Sequence, residues 1–191
     1  MTNYEFFEKL KLAVNSKTLY VKGAFGAPAG YGNTKTRYSN NYDYNKQPAR
    51  KAKILGASDD TFFFDCVCLG KGILWGWNAD ATKVYGGAAY MSNNVPDFGC
   101  ASVEKYCSSY SHNMNEDIEI GEWLYCDGHT AYYAGNGLII ESSPNLNDGV
   151  HYNKLTNRAF DGHGKIKFLY YVPVEKPTIV CPCCGAKFIK E

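Results

Sequence analysis

Apolar and polar positions divide the chain into a first half with helical periodicity and a second half with strand-like alternation. Near the N-terminus the apolar positions recur at helical spacing, at Phe6, Leu10, Ala13 and Val14. Thr2 followed by Glu5 has the spacing of a capping box, which predicts a helix over residues 3–15. Further helices are predicted over residues 47–57, from Cys66 to the segment Trp75-Gly76-Trp77, and from Asp97 through Tyr110.

Alternating apolar runs bounded by turn residues predict strands in the rest of the chain, over Glu122–Cys126, Thr130–Ala134, Leu138–Ser142, Val150–Leu155 and Ile166–Val172. Asn136-Gly137 between two apolar runs predicts a short hairpin. Because helices come first and strands afterwards, we expect an α+β domain whose helices pack on an antiparallel sheet of about five strands. This domain is predicted over residues 1–175, with a short tail over residues 176–191.

Length, charge and composition exclude several classes of protein. The chain has 191 residues, a net charge of +1, and 16 Tyr, 10 Phe and 3 Trp. The near-zero charge, without a basic stripe, argues against a nucleic-acid partner. No apolar stretch reaches eighteen residues, so stable membrane insertion is not expected. The first ten residues lack the order of a signal peptide, and the eight cysteines are therefore expected to be mainly free thiols in a reducing cytoplasm.

Three residues could together form a site for acyl transfer. Cys66 follows an apolar run and opens a predicted helix, His129 begins a strand, and Glu141 lies near the end of the next strand. They supply a nucleophile, a base and a group that orients the base, which are the parts of a cysteine-dependent acyl-transfer site. Without further information each of them also fits a structural role.

Helix geometry allows only one of Cys66 and Cys68 to serve as the nucleophile. Two residues along a helix rotate a side chain by about 200°, so only one of the two thiols faces the strand that carries His129. Helix geometry does not decide between them, and it is the match of Asp65-Cys66 to a family motif, given below, that favours Cys66 at the start of the helix. There the partial positive charge of the helix and a neighbouring imidazolium predict a resting thiolate.

The hairpin turn sets a condition on the contact between the base and its orienting group. A two-residue turn at Asn136-Gly137 pairs Tyr132 with Glu141 and leaves His129 offset from Glu141 by a few residues. Direct contact between His129 and Glu141 therefore requires a bulge, a different register or a bent strand.

Several motifs together resemble the NlpC/P60 superfamily of papain-like cell-wall peptidases, in its phage-endolysin-like branch. The resemblance covers about residues 18–155 and is carried by Tyr20-Val21-Lys22-Gly23, Asp65-Cys66, Trp75-Gly76-Trp77, Gly121-Glu122-Trp123-Leu124 and Gly128-His129 through Gly137, with Glu141 twelve positions after His129. The chain departs from the family at Val67-Cys68, where Ser-Gly is usual, and at Ala131, where glycine is usual. The third residue is Glu instead of His, Asn or Gln, and residues 26–60 form an insertion.

The resemblance implies a papain-like fold and hydrolysis of an amide bond in peptidoglycan without a catalytic cofactor. Cys66 would be the nucleophile, His129 the base and Glu141 its orienting group, with the Tyr20 hydroxyl beside the nucleophile. Asp65 and the aromatic rings of Trp75 and Trp77 are the expected substrate contacts, although packing in the core is the alternative for at least one tryptophan. Neither the bond that is cleaved nor the target species follows from the sequence.

The tail carries a separate signal, Cys181-Pro182-Cys183-Cys184-Gly185, which is similar to one knuckle of a zinc ribbon. Cys181 and Cys184 would supply two ligands, whereas a structural zinc requires four. The other two would come from the core, from a second chain in a homodimer, or from another domain. A tail without metal is the alternative.

Other functions remain open at this point. The same fold and triad could transfer an acyl group to an acceptor other than water, and a decayed site would leave a non-catalytic wall-binding protein or a zinc-ribbon interaction protein. For the hydrolase, the expected location is the cytoplasm of a bacterial host until a holin releases the enzyme to the cell wall. A secreted bacterial enzyme is the alternative.

Overall fold

The computed structural model describes residues 1–173 and the backbone of two short strands beyond them. Its helices are α1 (Asn3–Asn15), α2 (Thr34–Ser39), α3 (Asp43–Lys46), α4 (Pro48–Gly56) and α5 (Cys66–Leu74). The predicted capping box of α1 is confirmed, because the Thr2 hydroxyl accepts the Glu5 N–H at 3.1 Å and the Glu5 carboxylate accepts the Thr2 N–H at 2.7 Å. Helix α4 confirms the helix expected over residues 47–57, with Pro48 in its first turn.

A small mixed sheet lies next to the start of α5. It contains β1 (Thr18–Tyr20), β2 (Phe25–Pro28) and β3 (Phe62–Phe64), in the order β1-β3-β2. Strand β1 is parallel to β3, and β2 is antiparallel to it. Tyr20 therefore lies opposite Phe64, two residues before Cys66.

The larger sheet is antiparallel throughout and has six strands where about five were predicted. The strands are β4 (Cys107–Ser111), β5 (Trp123–Cys126), β6 (His129–Gly135), β7 (Leu138–Ser143), β8 (Gly149–Lys154) and β9 (Gly162–Ile166), in the order β4-β9-β5-β6-β7-β8. Helices in the first part and this sheet in the second confirm the α+β class.

Three segments differ from their predicted structure. The helix expected from Asp97 through Tyr110 is a 3-10 helix over Cys100–Tyr106 followed by β4, because this polar segment pairs with β9 at the sheet edge. The last strand of the larger sheet is β9 and not Ile166–Val172, since Gly162 and Gly164 allow a close approach to β4 that a Cβ atom would block. The loop expected over residues 30–47 contains α2 and α3, whose few buried side chains leave no clear apolar period.

Helix α5 lies between the two sheets and carries the main core. On one side a side chain at Gly70 would overlap the Tyr132 hydroxyl of β6, and on the other a side chain at Gly72 would overlap the Phe25 carbonyl of β2. The Tyr132 hydroxyl accepts the Gly70 N–H at 2.8 Å, which fixes the helix against β6. Two glycines thus let α5 pack closely enough to hold its first turn beside the start of β6.

The C-terminal part beyond residue 173 is described only as the backbone of β10 (Thr178–Val180) paired antiparallel with β11 (Lys187–Ile189). Cys181 and Cys184 lie outside the described residues, so the proposed zinc knuckle, the homodimer through it and the domain boundary at 175 stay predictions. In the part that is described, no helix combines the length and apolar character needed to cross a bilayer.

Candidate active site

Helix α5 begins at Cys66 because Asp65 caps it. One Asp65 oxygen accepts the Cys68 N–H at 2.6 Å, and the other accepts the Gly23 N–H at 2.7 Å. Burial raises the pKa of Asp65, although these two N–H groups oppose the shift. Asp65 was predicted to bind substrate, but both of its oxygens already accept backbone hydrogen bonds. Its role in this structure is to fix the start of α5 against the Tyr20-to-Gly23 segment.

Cys66 is buried at the first position of α5, with 6% of its surface exposed. Burial, together with the Asp65 carboxylate, raises the pKa of its thiol to about 12, although backbone hydrogen bonds from Thr130 and Val67 act in the opposite direction. This direction is opposite to the one that the predicted resting thiolate requires, because desolvation opposes the effect of the helix terminus. A thiol that keeps its proton would react only with a base to remove it.

Cys66 and Cys68 point to different surroundings, as the helix geometry requires. Cys66 meets the backbone of Thr130, the residue after His129. Cys68 instead lines a cleft on the Asp65 side of the helix. Burial and the hydrogen bond with Asp65 contribute to a pKa of Cys68 well above its ordinary value. Only Cys66 is thus next to the strand that carries the predicted base.

His129 and Glu141 are in direct contact, with 2.6 Å between His129 Nε2 and Glu141 Oε2. A bulge makes this contact possible. Gly135 pairs with Leu138 as predicted, but Tyr133 pairs with Ile139, so Ala134 is an extra residue in β6. Continued along the strands, this register places Glu141 on the same side of the sheet as His129, whereas the regular hairpin would place them on opposite sides.

Glu141 is fully buried, yet it is ionised. Burial alone would raise its pKa, but hydrogen bonds from His129, Arg158 and Asn153, with His151 nearby, hold the pKa of Glu141 far below its ordinary value. Because the carboxylate can only accept, the shared proton belongs to His129 Nε2. The other ring nitrogen, Nδ1, is then the basic atom.

Sequence reasoning missed the two residues that complete this cluster. Arg158 Nε donates to Glu141 Oε2 at 2.5 Å, and Asn153 Nδ2 donates to Oε1 at 2.8 Å. Asn153 lies two positions after His151, which pairs with Glu141 across β7 and β8, so alternation along a predicted strand could have found it. Arg158 follows a 3-10 turn over Leu155–Asn157 and had no such signal.

Tyr20 ends β1 beside the predicted nucleophile. Burial and the proximity of Cys66 and Asp65 raise the pKa of its hydroxyl, so it keeps its proton. A protonated hydroxyl close to Cys66 can donate a hydrogen bond to a developing oxyanion. Helix α5 offers a second donor, because the N–H of its first residue, Cys66, has no intrahelical acceptor.

The structure does not join Cys66 and His129 by a hydrogen bond within the residues it describes. Tyr132 and Ile140 face α5, whereas alternation places His129 and Glu141 on the other side of β6 and β7. His129 is the first residue of β6, directly after the turn at Gly128, where φ is +74°. A contact between the thiol and the imidazole therefore has to form around the start of β6, and catalytic contacts often tighten only when substrate binds.

A cleft of about 430 Å³ opens beside the first turns of α5. Aromatic side chains form much of its wall, from Phe25, Tyr42, Trp75, Tyr90 and Phe98. At its base, the buried ammonium of Lys71 donates to the Asp97 carboxylate and, at 2.6 Å, to the Phe98 carbonyl. Trp75, a predicted substrate contact, lines this cleft but is anchored by a hydrogen bond from Nε1 to the Val95 carbonyl at 2.8 Å.

Trp77, the other predicted substrate contact, has no exposed surface. Its ring packs edge-to-face against Phe62 and Phe64, with centroid distances of 5.5 Å and 5.1 Å. The structure therefore assigns Trp77 to the core. A side chain at Gly26 would overlap the indole, so this glycine leaves the space that the ring fills.

We expect Trp77→Ala to lower the free energy of unfolding by about 3–5 kcal/mol, because it leaves a large cavity between β3 and α5. Turnover per folded molecule should stay the same. Urea unfolding, combined with turnover measured below the transition, checks both expectations. Reduced turnover at unchanged stability would instead show that Trp77 contacts the substrate.

The chain matches no protein-family model, and a comparison with curated proteins finds no significant relative. Within residues 1–173, no group of three or more His, Cys, Asp or Glu side chains is placed to hold a metal ion. The functional assignment therefore rests on the site itself and on the motifs of the sequence.

Proposed function

We propose that the chain is a cysteine peptidase or amidase with the papain-like NlpC/P60 fold, acting on bacterial peptidoglycan. The observation that carries the proposal is the His129–Glu141 hydrogen bond at 2.6 Å. It lies at the start of β6, where the Cys66 thiol meets the N–H of the neighbouring Thr130. A nucleophile, a base and a carboxylate that fixes the tautomer of the base are the parts that amide hydrolysis needs. The motifs Asp65-Cys66 and Gly128-His129 supply the substrate class through their resemblance.

The residues divide the reaction between them as follows. His129 Nδ1 takes the proton of the Cys66 thiol as the sulfur attacks the amide carbonyl, and it then gives that proton to the leaving amine. The Cys66 N–H and the Tyr20 hydroxyl stabilise the oxyanion. Water, activated by the same nitrogen, releases the acid from the thioester. Glu141 holds the imidazole through Nε2 in both half-reactions.

The raised pKa of Cys66 favours general-base assistance over a resting ion pair. A buried thiol is a poor nucleophile until the base removes its proton, so reaction depends on a substrate that brings His129 and Cys66 together. This requirement would limit reaction of the enzyme with other electrophiles.

The proposed site for the parts of the substrate away from the scissile bond is the aromatic cleft beside α5, which Cys68 lines and which neither Cys66 nor His129 lines. Its rings offer flat apolar faces of the kind that pack against sugars and peptide side chains. Lys22 and Asp97 at its walls supply charges of both signs. Muropeptides combine sugar rings, carboxylates and amines, which agrees with such a lining.

For the site of action we propose an endolysin-like role, with storage in the cytoplasm of a bacterial host and release to the cell wall through a holin. The free thiols of the described cysteines fit a reducing compartment. The partner in this role is peptidoglycan, and no nucleic acid is involved. Expression in the cytoplasm should then be harmless until the membrane is permeabilised.

Incubation with purified muropeptides tests the proposal. We expect mass spectrometry to show products heavier than the substrate by one water in total, and the fragments name the bond that is cleaved. Acyl transfer would instead give a product that retains the acyl group on an added amine acceptor. Binding of muropeptide without any product would contradict catalysis and support a wall-binding protein.

A further inference from the structure

Arg158 contacts the same carboxylate oxygen that orients His129. Its Nε lies 2.5 Å from Glu141 Oε2, and His129 Nε2 lies 2.6 Å from that oxygen. Glu141 has no exposed surface, and the Arg158 side chain keeps only 21% of its own. A permanent positive charge and the imidazole therefore contact the same oxygen of a buried carboxylate.

The chain builds this contact with a turn and a network of amides. After β8, a 3-10 turn over Leu155–Asn157 reverses the chain and brings Arg158 back over β7. Asn157 Nδ2 donates to Asn153 Oδ1 at 2.6 Å, which turns the Asn153 amide so that its Nδ2 donates to Glu141 Oε1. Both oxygens of Glu141 are thereby held, and Arg158 is fixed on the one that His129 uses.

We propose that Arg158 is a positioning residue that neutralises Glu141, so that Glu141 fixes the His129 ring without presenting a full negative charge to it. The proposal rests on the proposed function, in which His129 is the base for Cys66. An uncompensated carboxylate favours the protonated form of every neighbouring group and would keep the thiol and the imidazole protonated to higher pH. The Arg158 cation removes that bias, while the hydrogen bond between Glu141 and the ring remains.

Other charged or titratable groups surround the cluster. His151, on β8, has its Nε2 3.4 Å from Glu141 Oε1 but does not align as a hydrogen bond. Cys126, at the end of β5, has a pKa raised by burial, which Arg158 opposes and the charges of Asp161, Glu141 and Asp127 reinforce. Among these groups in the described part of the chain, Arg158 is the side chain with a permanent positive charge that bonds to Glu141.

The test compares Arg158→Gln with Arg158→Lys. The pH dependence of iodoacetamide alkylation at Cys66 is followed by peptide mass spectrometry, and turnover of muropeptide is followed in parallel. In R158Q the alkylation profile should move to higher pH by about one unit, the lower end of the shift that an uncompensated neighbouring charge produces. In R158K the charge is kept and the geometry is lost, so the profile should stay near that of the wild type while the rates fall.

The outcomes separate the inference from the function on which it rests. Equal loss of thermal stability in both variants, with unmoved pH profiles, would show that Arg158 is only structural. If R158Q does not fold, a shift of one unit in R158K alone would also contradict the inference. Absence of turnover in the wild type, with the R158Q shift still present, would instead overturn the hydrolase and keep the positioning role.

Discussion

Cys66→Ala is expected to lower the turnover of muropeptides by at least about 1,000-fold, the scale of loss when a covalent nucleophile is removed. Cys66 is the thiol beside Thr130 at the start of β6. The alanine would leave His129 and Glu141 in place without a group to form the thioester. The smaller side chain should leave the fold intact. Initial rates on muropeptides, with circular dichroism as a check on folding, measure the effect.

Cys68→Ala is the matched control for this variant. Cys68 is a buried cysteine on the same helix, with 7% of its surface exposed against 6% for Cys66, but it faces the cleft and Asp65. Its replacement should keep turnover within about threefold while costing some stability. Full activity in C66A together with an inactive C68A would exchange the roles of the two thiols.

Glu141→Gln is expected to reduce both turnover and stability. An amide can donate as well as accept, so Gln no longer fixes the His129 tautomer, and a loss of about 10,000-fold in turnover is known when the orienting carboxylate of a triad becomes an amide. The variant also leaves Arg158 without its counter-ion, and breaking a buried pair in this way costs about 3 kcal/mol or more. Urea unfolding and initial rates measure the two losses separately.

The stability difference between wild type and E141Q should depend on pH. The pKa of Glu141 is ordinarily about 4.5 and is held far below that value in the folded protein. A depressed folded pKa gives stability that is fully present above the unfolded value and is lost as pH falls through the folded one. The difference in unfolding free energy should therefore be constant near pH 7 and shrink below about pH 4.5. A difference that is the same at pH 3 as at pH 7 would contradict the low pKa.

Glu122→Gln is the control that separates the two effects of E141Q. Glu122 is also buried, with 3% exposure, and its Oε2 lies 2.6 Å from His163 Nδ1 on a different part of the sheet. Glu122 and His163 thus form a second buried His–carboxylate pair, which is not part of the proposed site. E122Q should lose stability and keep turnover, whereas a similar loss of turnover in both variants would make the effect of E141Q a consequence of destabilisation.

Local signals in the sequence predicted the elements whose structure is set by residues close together in the chain. The capping box at Thr2 and Glu5 and the turn at Asn136-Gly137 each act within a few residues, and each is found where it was expected. The sequence failed where distant contacts decide the structure. Segment 107–111 has no strand-like alternation of its own and becomes β4 only by pairing with β9.

The candidate site likewise combines features that local sequence signals predicted with features that depend on distant contacts. The spacing of His129 and Glu141 identified two residues that do meet, but the bulge that lets them meet is marked in the sequence by a single glycine, Gly135, whose φ is +87°. Arg158 reaches Glu141 only because a turn folds back over the sheet, which no local pattern reveals. Burial set the protonation of Cys66, and burial depends on all of the elements packed around α5.

The extra residue at Ala134 also decides which changes of length this hairpin can tolerate. Deletion of Ala134 would restore a regular ladder and move Glu141 to the opposite side of the sheet from His129, although the deletion removes no functional side chain. Insertions at the exposed turn are subject to a parity rule. A matched pair, with one residue added to each strand, lengthens the hairpin and preserves the pairing below it, whereas a single added residue must be absorbed in the loop or it shifts one strand against the other. In related chains, the distance between this histidine and this carboxylate should accordingly vary by even numbers.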